Sequence, residues 1–465
     1  MRYCMTRKAM PLLIAVTLAV NPVLVRASGF ALLEQSASRL GTAFAGTGAA
    51  ADDATTTYFN PAGLTQLSQP EAVIVASAIG ITSKFSDRSS LPAFGQPLGA
   101  NGGNAGDWNF VPAAYLTAPI AEDFAVGLAV NAPFGLKLDY APDWIGRFQA
   151  LSSEIKTTNF NPTIAYRIND RLSIGAGVSY QRLQAELTNA VNYSAVVAQG
   201  VQQLVALGQL PAAAAPGVIA ANLGLEGGAR VRGDDGAWGF NLGLTYDFSE
   251  ATRIGLAYRS RIAYDVTGTV TFTPPLVTDP VGAAIVASVS ATGAPLASGP
   301  ISVSLEVPDS ALLSLRQQIG SRFQLLADVA WTGWSSVPEL RVVRDTGAIV
   351  SVTPEQWQDV FRYALGGAYE VSPTFTLRGG VAYDETPVPE STRTPRLPDP
   401  DRTWLAIGAR WQPTESILLD VGYAHVFSDD VPLNQNAGST AAYGLVNGQQ
   451  HAAVDVVSTQ LVYRF

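Results

Sequence analysis

The stretch RLSIGAGVSYQRL, residues 171–183, alternates between two kinds of side chain. One face carries Leu172, Ile174, Ala176, Val178 and Tyr180, and the other carries Ser173, Gly175, Gly177, Ser179 and Gln181. The stretch SILLDVGYAHV, residues 416–426, shows the same alternation. Because successive side chains of a strand point to opposite faces, the pattern predicts strands with one apolar and one small or polar face. Runs of about ten residues are typical of transmembrane β-barrels, whereas strands in soluble proteins average about five or six.

The predicted connections differ in length at the two ends of these strands. Tight turns are expected at 122–123, 169–170, 249–250, 372–373 and 414–415. Long loops are expected at 87–106, 139–153, 189–235, 272–299, 387–401 and 428–450. Within one of them, the uncharged run 199–225 is broken by Pro211 and Pro216, which favours a loop with a short amphipathic helix over the alternative of a membrane span. Short turns at one end and long loops at the other are typical of outer-membrane barrels.

Fourteen strand candidates follow the hydrophobic alternation along the chain. They cover 71–86, 107–120, 123–138, 154–168, 171–188, 236–248, 251–271, 299–317, 320–344, 357–371, 373–386, 401–412, 415–428 and 451–465. The ninth is long enough to contain a loop of its own. An even number places the last strand antiparallel beside the first, so that no edge stays unpaired in lipid. We therefore predict an all-β fold, a 14-stranded antiparallel transmembrane β-barrel.

The end of the chain supports the same fold. The last ten residues read VVSTQLVYRF, with Leu461, Tyr463 and Phe465 on one face. An aromatic final residue on such a strand resembles the signal that the outer-membrane barrel assembly machinery recognises. We therefore expect that machinery and the lipid of the outer membrane to be partners of this chain.

The start of the chain has the features of a secretory signal peptide. Basic residues precede the apolar run 10–25, and a small-residue cleavage signature ends at Ala27. The alternative, a membrane anchor, is disfavoured because the run is short of the roughly 20 residues a span needs and Pro22 interrupts it. The single cysteine, Cys4, lies inside this signal, so no disulfide framework is expected in the mature chain.

Composition narrows the class of protein further. Hydrophobic residues make up 47% of the chain and charged residues only 14%, against about 25% charged in an average soluble protein. Much of the surface is therefore expected to face something other than water. The net charge of −9 argues against a nucleic acid as partner.

The segment that follows the signal, residues 28–67, differs from the strands. Glycine and alanine dominate, between apolar anchors at Leu40, Phe44, Tyr58 and Leu64. Asn60-Pro61 predicts a short helical turn that begins at Pro61, because Asn is a good N-cap and Pro suits the first helical position. A barrel of fourteen strands is too wide for its own side chains to fill, so we predict that this segment is a hatch inside the lumen. A disordered leader is the alternative.

These features divide the chain into three predicted parts. Residues 1–27 are the signal peptide, residues 28–70 the hatch and residues 71–465 the barrel.

The third strand candidate, FAVGLAVNAPFGLKL at 124–138, is interrupted by Pro133 and Gly135. Proline cannot donate a hydrogen bond to the ladder, and glycine inside a strand often marks a bulge. In a wall that faces lipid the lost hydrogen bonds are costly unless other groups replace them. The break therefore predicts either a functional opening or a harmless bulge near the strand end.

Enzyme chemistry has little support in the sequence. The only histidines, His425 and His451, stand apart from any cluster with metal-ligand spacing. The chain has neither a Gly-x-Ser-x-Gly elbow nor a phosphate-binding loop. We expect no catalytic activity, no metal and no cofactor.

Several stretches together resemble the FadL-type long-chain fatty-acid transporters of the outer membrane. They include ADDATTTYFNPAGL, WTGWSS, YDETPVPE and LPDPDRTWLAIG, and the resemblance covers nearly the whole mature chain. It implies a barrel in the outer membrane of a Gram-negative bacterium that takes up hydrophobic molecules without energy input. Ligand is then expected to be caught between extracellular loops, to pass to an interior pocket, and to leave sideways through the wall.

The resemblance also implies roles for individual residues. Phe30 and Asp384 are expected in the ligand pocket, and Asn60, Pro61 and Ala62 form the hatch motif. The lateral opening is expected at a kink formed by Pro133, Phe134 and Gly135. A surface groove for first capture is expected to involve Trp144, Ile145, Phe148, Val201, Leu204 and Val205.

One departure from the family concerns the head group of the ligand. Where the family has basic residues facing a carboxylate, this chain has Asn189 and Thr353, so Arg182 or Arg344 is the candidate substitute. Long-chain fatty acid is the first expectation for the transported molecule, and an aromatic or aliphatic hydrocarbon is the alternative. A general porin for polar solutes and a structural adhesin are the alternatives of another class. We expect a monomer that binds a hydrophobic small molecule.

Overall fold

The computed structural model describes residues 29–435 and 440–465. The predicted signal peptide and its cleavage after Ala27 lie outside the described residues. Fourteen antiparallel wall strands close into a barrel. Five of them are broken into two pieces by a kink, and the thirteenth continues as a short second piece. In chain order the strands are Glu71–Asp87, Trp108–Pro119, Phe124–Asn131 with Gly135–Asp139, Ser152–Arg167, Leu172–Asn192, Glu226–Ser249, Thr252–Arg259 with Ile262–Thr273, Gly299–Val307 with Ser310–Ile319, Phe323–Thr332 with Glu339–Arg344, Ile349–Pro354 with Val360–Ser372, Phe375–Asp384, Arg402–Trp411, Ile417–Ser428 with Val431–Gln435, and Val446–Arg464.

The barrel closes as the even strand count predicted. The last strand pairs antiparallel with the first from Glu71↔Arg464 to Asp87↔Gly448. No backbone edge of the closed sheet is therefore presented to lipid along this seam.

Burial along each strand shows which face meets the membrane. In the thirteenth strand, Leu419, Val421 and Tyr423 are exposed while Asp420 and Ala424 are buried. The apolar face is outside and the small or polar face inside, the reverse of a soluble sandwich. Exposed aromatic residues mark both ends of the apolar band: Phe124, Tyr166, Phe248, Tyr369, Trp411 and Tyr463 near the tight turns, and Trp108, Tyr180, Trp238, Phe361 and Phe427 near the loops.

Strand ends differ from the expectation at the loop side. The fifth and sixth strands extend beyond the predicted limits and pair from Leu172↔Tyr246 to Asn192↔Glu226. The overlong ninth candidate does contain a break: its chain turns inward at Trp334–Ser336 before the strand resumes. The alternation of side chains could not locate these strand ends, because the same alternation continues where a strand extends beyond the membrane.

Helices lie mainly in the long loops. They span Tyr193–Ala206, Ala215–Ala221, Pro280–Ser290 and Thr440–Tyr443. The first and third of these pack together through Val197, Val201 and Ile285. Among the described residues, no helix is both long and apolar enough to span a membrane.

The segment before the first strand fills the lumen as a hatch. It contains Ala37–Leu40, Thr56–Phe59 and the 3-10 turn Pro61–Gln66, and nearly all of its residues from Gln35 to Ala50 are buried. The helical turn begins at Pro61 as predicted, and the Asn60 side chain accepts a hydrogen bond from the Ala62 N–H. The lumen is therefore filled by packed backbone rather than by long wall side chains.

A buried ion network fixes the hatch near the tight-turn end of strands eleven to thirteen. Arg410 contacts Asp53 at 2.7 Å and Asp420 at 2.8 Å, and Arg378 contacts Asp420 at 2.6 Å. Arg39 pairs with Asp52 inside the hatch. Burial opposes the ionisation of Asp52, but Arg39 and Arg410 together hold its pKa well below the usual value. The contacts of Arg410 with Asp53 and Asp420 join the hatch to the wall.

We expect Asp420→Asn to destabilise the barrel strongly, because it leaves Arg378 and Arg410 without their shared carboxylate. Breaking a buried pair costs about 3–5 kcal/mol. Urea unfolding in lipid vesicles, followed by tryptophan fluorescence, measures the loss.

The matched control is Asp234→Asn, since Asp234 pairs with Arg182 on the exposed outer face. An exposed pair contributes about 1 kcal/mol or less. Equal, small losses in both variants would contradict an anchoring role for the network.

Candidate functional site

The third wall strand is interrupted between Asn131 and Gly135. Its ladder with the second strand runs only from Pro119↔Ala125 to Ala114↔Val130. In the described part of the chain, no ladder joins 108–113 to 135–139. Above this gap the Asp139 N–H donates to the Ala105 carbonyl at 2.8 Å. We name this gap in the wall, bordered by 108–113 and 132–139, the window.

Hatch residues satisfy the backbone groups that the kink leaves without a wall partner. The Leu32 N–H donates to the Pro133 carbonyl at 2.8 Å, and the Gly135 N–H donates to the Phe30 carbonyl at 3.0 Å. The Gln35 amide donates to the Ala132 carbonyl at 2.8 Å. The start of the hatch therefore acts as a short substitute strand on the lumen side of the window.

Thr157 of the fourth strand completes the hydrogen bonding of the kink. Its hydroxyl accepts from the Phe134 N–H at 2.9 Å and donates to the Phe134 carbonyl at 2.8 Å. A backbone break at membrane depth is tolerated only where protein or water replaces the ladder. Here protein groups replace it, partly from the hatch and partly from Thr157.

Side chains hold the same junction together. Phe30 is buried among Phe134, Trp334 and Trp357, with ring centroids 5.7, 4.9 and 5.8 Å away. Trp334 is carried inward by the break in the ninth strand. Phe30 thus contacts two wall kinks at once. A Cβ on Gly135 would lie 2.7 Å from a terminal methyl of Leu32, so a larger residue there would require the Leu32 side chain to shift.

The Asn60-Pro61-Ala62 turn packs directly on the wall. The Asn60 amide donates to the Gly48 carbonyl at 2.7 Å and to the Leu244 carbonyl at 3.1 Å. A Cβ on Gly243 or on Gly175 would lie 2.0 or 2.5 Å from atoms of the turn. The alternating glycines of these two strands are therefore the surface on which the hatch backbone rests.

The start of the hatch separates two cavities. One, of about 130 Å³, we name the N-terminal cavity. Its lining includes Phe30, Leu32, Glu34, Ile79, Gly135, Leu136, Asp399, Arg402 and Trp404. The other, of about 140 Å³, we name the hatch cavity. Its lining includes Leu32, Leu33, Phe59, Pro61, Pro133, Phe134, Asn241, Arg259, Asp328 and Arg362. Both cavities reach the window, from opposite sides of the hatch segment.

Charged groups surround the N-terminal cavity. The Gly29 N–H donates to Asp399 at 3.1 Å, and Arg402 pairs with Asp399. Asp384, predicted in the pocket, is fully buried at the end of the eleventh strand. Burial raises the pKa of Glu34, and the charge of Asp384 adds to that rise. Of the two residues predicted in the pocket, Phe30 lines the N-terminal cavity, whereas Asp384 is buried but is not part of that lining.

The arginine nearest to Asn189 is Arg396, from the loop before the twelfth strand. Its guanidinium donates to the Ser152 carbonyl at 3.2 Å and reaches the Asn189 side chain at 3.4 Å. Burial raises the pKa of Glu355 to about 7, while a hydrogen bond from Trp357 and the charge of Arg396 oppose the rise. A cation and a carboxyl group thus lie beside the apolar cluster that contains Phe30 and Trp357.

The arginines expected to face a ligand head group are elsewhere. Arg182 pairs with Asp234 on the outer face, and Arg344 donates to the Pro295 and Ala297 carbonyls. The expectation that Arg182 or Arg344 faces the head group was therefore wrong. It rested on closeness to Asn189 and Thr353 along the chain. Arg396 reaches Asn189 only because a distant loop folds into the barrel mouth.

The six loop residues expected to form a surface groove are not joined in one exposed surface. Trp144, Phe148 and Val201 are buried in three different clusters. The Trp144 indole donates to the Ala150 carbonyl at 2.6 Å. Ile145 is also buried, and Leu204 and Val205 are partly exposed on the loop helix. The side chains expected to form the groove are therefore packed mainly within the loops themselves.

Sequence reasoning missed Trp334, Trp357, Glu355, Arg396 and Arg402. A partial signal existed, since Trp334 and Arg402 lie in WTGWSS and LPDPDRTW, two stretches that carry the family resemblance. Glu355 and Arg396 had no signal, because neither lies in a patterned stretch.

Comparisons with known proteins agree with this architecture. A family model described as outer membrane protein transport protein (OMPP1/FadL/TodX) matches residues 18–465. The 47 kDa outer membrane protein of Pasteurella multocida is 32% identical, over 95% of this chain and 98% of its own. The long-chain fatty acid transport protein of Escherichia coli K12 is 29% identical, over 91% of this chain and 93% of its own. The crystal structure of a Pseudomonas aeruginosa FadL homologue superposes with a TM-score of 0.82 at 25% identity, covering 94% of this chain and 100% of that one.

Proposed function

Because the chain belongs to the outer membrane transport protein family OMPP1/FadL/TodX, we propose that it carries long-chain fatty acids inward across the outer membrane without an energy source. The β-barrel fold, the outer-membrane location and transport of hydrophobic molecules agree with the expectations from sequence and are confirmed. The identity of the cargo as a fatty acid, the route and the residues below are parts of the proposal.

The proposed route ends at the window rather than at the periplasmic end of the barrel. Ligand captured by the extracellular loops enters beside Phe30 and displaces the hatch segment Phe30–Gln35. The kink then loses its substitute strand, and the apolar chain passes between 108–113 and 135–139 into the membrane. The observation that carries this proposal is the repair of the kink by hatch backbone, since whatever moves the segment also changes the window.

The anchored part of the hatch supports a lateral exit. Arg410, Asp53 and Asp420 hold it near the tight-turn end, and the Asn60 turn rests on wall glycines. Moving the whole hatch would break that buried network, at several kcal/mol. Moving Phe30–Gln35 leaves that network intact. It breaks three hydrogen bonds to the kink, each worth about 1 kcal/mol, the bonds that Ser77 and Tyr115 donate to the segment, and the ring contacts of Phe30, which the incoming ligand replaces.

Transfer into lipid needs no other energy source. Removing apolar surface from water contributes about 0.8 kcal/mol per methylene. A long chain that leaves the extracellular medium for the cavity and then the bilayer is therefore driven by its own burial.

We propose that Arg396 receives the carboxylate of the fatty acid in the upper lumen. It stands beside Asn189, where the family resemblance expects a cation, and borders the apolar cluster around Phe30. A neutral hydrocarbon would have no use for this residue, which is why a carboxylate is the preferred cargo. The filled lumen disfavours a porin for polar solutes.

We also propose that the protein performs no chemistry on its cargo, acts as a monomer, and is inserted by the barrel assembly machinery that recognises its last strand.

Uptake of labelled oleate by cells that lack their own transporter tests the proposal directly. We expect expression of the full chain to raise oleate uptake. A variant without residues 30–70, present in the membrane at the same level, should lose this selective uptake of oleate. No gain from the full chain would overturn the proposed function.

A disulfide between Ala31→Cys and Phe134→Cys is expected to stop uptake when oxidised. The two residues form a bridge flanked by the hydrogen bonds Leu32–Pro133 and Gly135–Phe30. Such pairs have Cα atoms about 4.5 Å apart, within the range a disulfide accepts. Reduction of the same protein is the control and should restore uptake. Unchanged uptake with the disulfide verified by mass spectrometry would show that the segment need not move.

Arg396→Gln is expected to weaken dodecanoate binding about tenfold or more, as loss of a charged hydrogen bond predicts. Binding of toluene should change little. Arg344→Gln is the matched control, because Arg344 only contacts carbonyls of an outer loop. Equal effects of the two substitutions would remove Arg396 from the site.

Dodecanoate affinity is expected to fall by up to about tenfold between pH 6 and pH 8. The pKa of Glu355 is about 7, so Glu355 is mostly neutral at pH 6 and leaves Arg396 free. At pH 8 it is mostly ionised and competes with the ligand, whose own carboxyl stays ionised throughout, with a pKa near 4–5. Isothermal titration at the two pH values measures the change. Glu355→Gln should give a flat profile, and an unaltered slope in that variant would contradict the assignment.

A further inference from the structure

The lining of the hatch cavity is apolar in one part and polar in another. Leu32, Leu33 and Phe59 of the hatch and Pro133 and Phe134 of the kink form the apolar half. Asn241, Arg259 and Arg362 form much of the polar half, on wall strands six, seven and ten. The cavity therefore places positively charged side chains close to the inner side of the window.

The two arginines are not paired with carboxylates of the described residues. Arg259 donates to the Tyr58 carbonyl at 2.8 Å and to Ser179 at 3.3 Å, and lies over the Tyr58 ring. Arg362 donates to the Ala43 carbonyl at 2.7 Å. The charges of Asp384, Asp328 and Glu34 stabilise the cation of Arg362 without a direct ion pair among the described residues. The side-chain hydrogen bonds of both guanidinium groups thus go to neutral acceptors, and Arg259 has no carboxylate partner in the described part of the chain.

The acid that lines the cavity is already occupied. Asp328 accepts hydrogen bonds from the Gly46 and Thr47 N–H groups at 2.8 and 3.0 Å, and from the Ser314 hydroxyl at 2.5 Å. It fixes a hatch turn to the wall, so its hydrogen bonds go to the hatch and to Ser314 rather than to the arginines.

Two buried donors on the lining have no acceptor among the described residues. They are Nδ2 of Asn241, which is 2% exposed, and Nε of Arg362, which is 7% exposed. The Asn241 oxygen accepts from Asn161 at 2.9 Å, so its amide orientation is set and Nδ2 remains. Buried donors without protein partners are uncommon in folded proteins, and such groups bind water or the polar part of a ligand.

Size limits what can bind these donors. A cavity of about 140 Å³ has room for about five water-sized units, given about 30 Å³ each. A head group and a few methylenes fit, but a long chain must extend through the neighbouring window.

We infer that the hatch cavity is a second binding site, which holds the carboxylate head group of the cargo while its chain passes out through the window. This rests on the proposed function, since it assumes a single-chain carboxylate as cargo. The head group then moves from Arg396 above the hatch segment to Asn241, Arg259 and Arg362 below it. The last polar part of the molecule stays bound until the chain is in lipid.

Asn241→Asp tests the inference with almost no change of shape. The substitution keeps the oxygen that accepts from Asn161 and replaces the unpartnered donor by negative charge. We expect protein in lipid nanodiscs to lose its second class of dodecanoate sites, with affinity there reduced about tenfold or more by like-charge repulsion. Binding of dodecan-1-ol should be unchanged.

The matched control is Gln181→Glu. Gln181 is a buried amide on the neighbouring fifth strand that is not part of the cavity lining, and it donates to the Tyr264 hydroxyl at 2.7 Å. A carboxylate there can accept from the same hydroxyl. The Gln181→Glu variant should bind dodecanoate as the wild type does. Equal binding by wild type and Asn241→Asp would overturn the inference.

A measurement on the wild type removes any dependence on folding of the variant. Dodecanoate with a photoreactive group next to its carboxyl should label peptides that contain Asn241, Arg259 or Arg362 as well as the region of Arg396. Label confined to the region of Arg396 or Arg402 would overturn the second site, while normal oleate uptake would leave the proposed function standing. Absence of oleate uptake by the wild type would instead overturn the proposed function.

Discussion

The pairing of the hatch segment with the kink in the third strand is the interaction on which the site depends. A wall strand at membrane depth cannot leave its carbonyl and N–H groups without partners, because lipid offers none. Here Leu32, Phe30 and Gln35 supply partners for the groups between Ala132 and Gly135. A change in the position of this hatch segment therefore also changes the hydrogen bonding of the third wall strand.

We propose that the rest of the hatch stays in place while that segment moves. Its anchors differ in kind: an ion network around Arg410, a capped turn at Asn60, and a carboxylate, Asp328, that binds the turn at Gly46. Glycines of the wall bring backbone against backbone, so the contacts are short and leave little room for sliding. In the proposed route these anchors hold the rest of the hatch, so that movement is confined to the segment Phe30–Gln35 beside the window.

Polar chemistry in the lumen suits a molecule with one charged end. Arg396 lies above the hatch segment, and Arg259 and Arg362 lie below it, while the contacts between these positions are mostly apolar. Burial of the chain supplies the energy, in proportion to its length. In the proposed mechanism the arginines set where the charged end rests and in which order it moves, and a hydrocarbon without a head group would pass the same apolar surfaces without stopping at them.

The sequence by itself determined the barrel, the number of its strands, the hatch, the helical turn at Pro61 and the place of the break near Gly135. These depend on local rules, since alternation, capping and the missing N–H of proline act within a few residues. Only the tertiary structure decided which groups repair the kink, that Trp334 turns inward to meet Phe30, and that Arg396 rather than Arg182 or Arg344 lies beside Asn189. Those contacts join residues that are up to about 300 positions apart. No short-range pattern encodes them, because closure of the barrel, and not spacing along the chain, makes them neighbours.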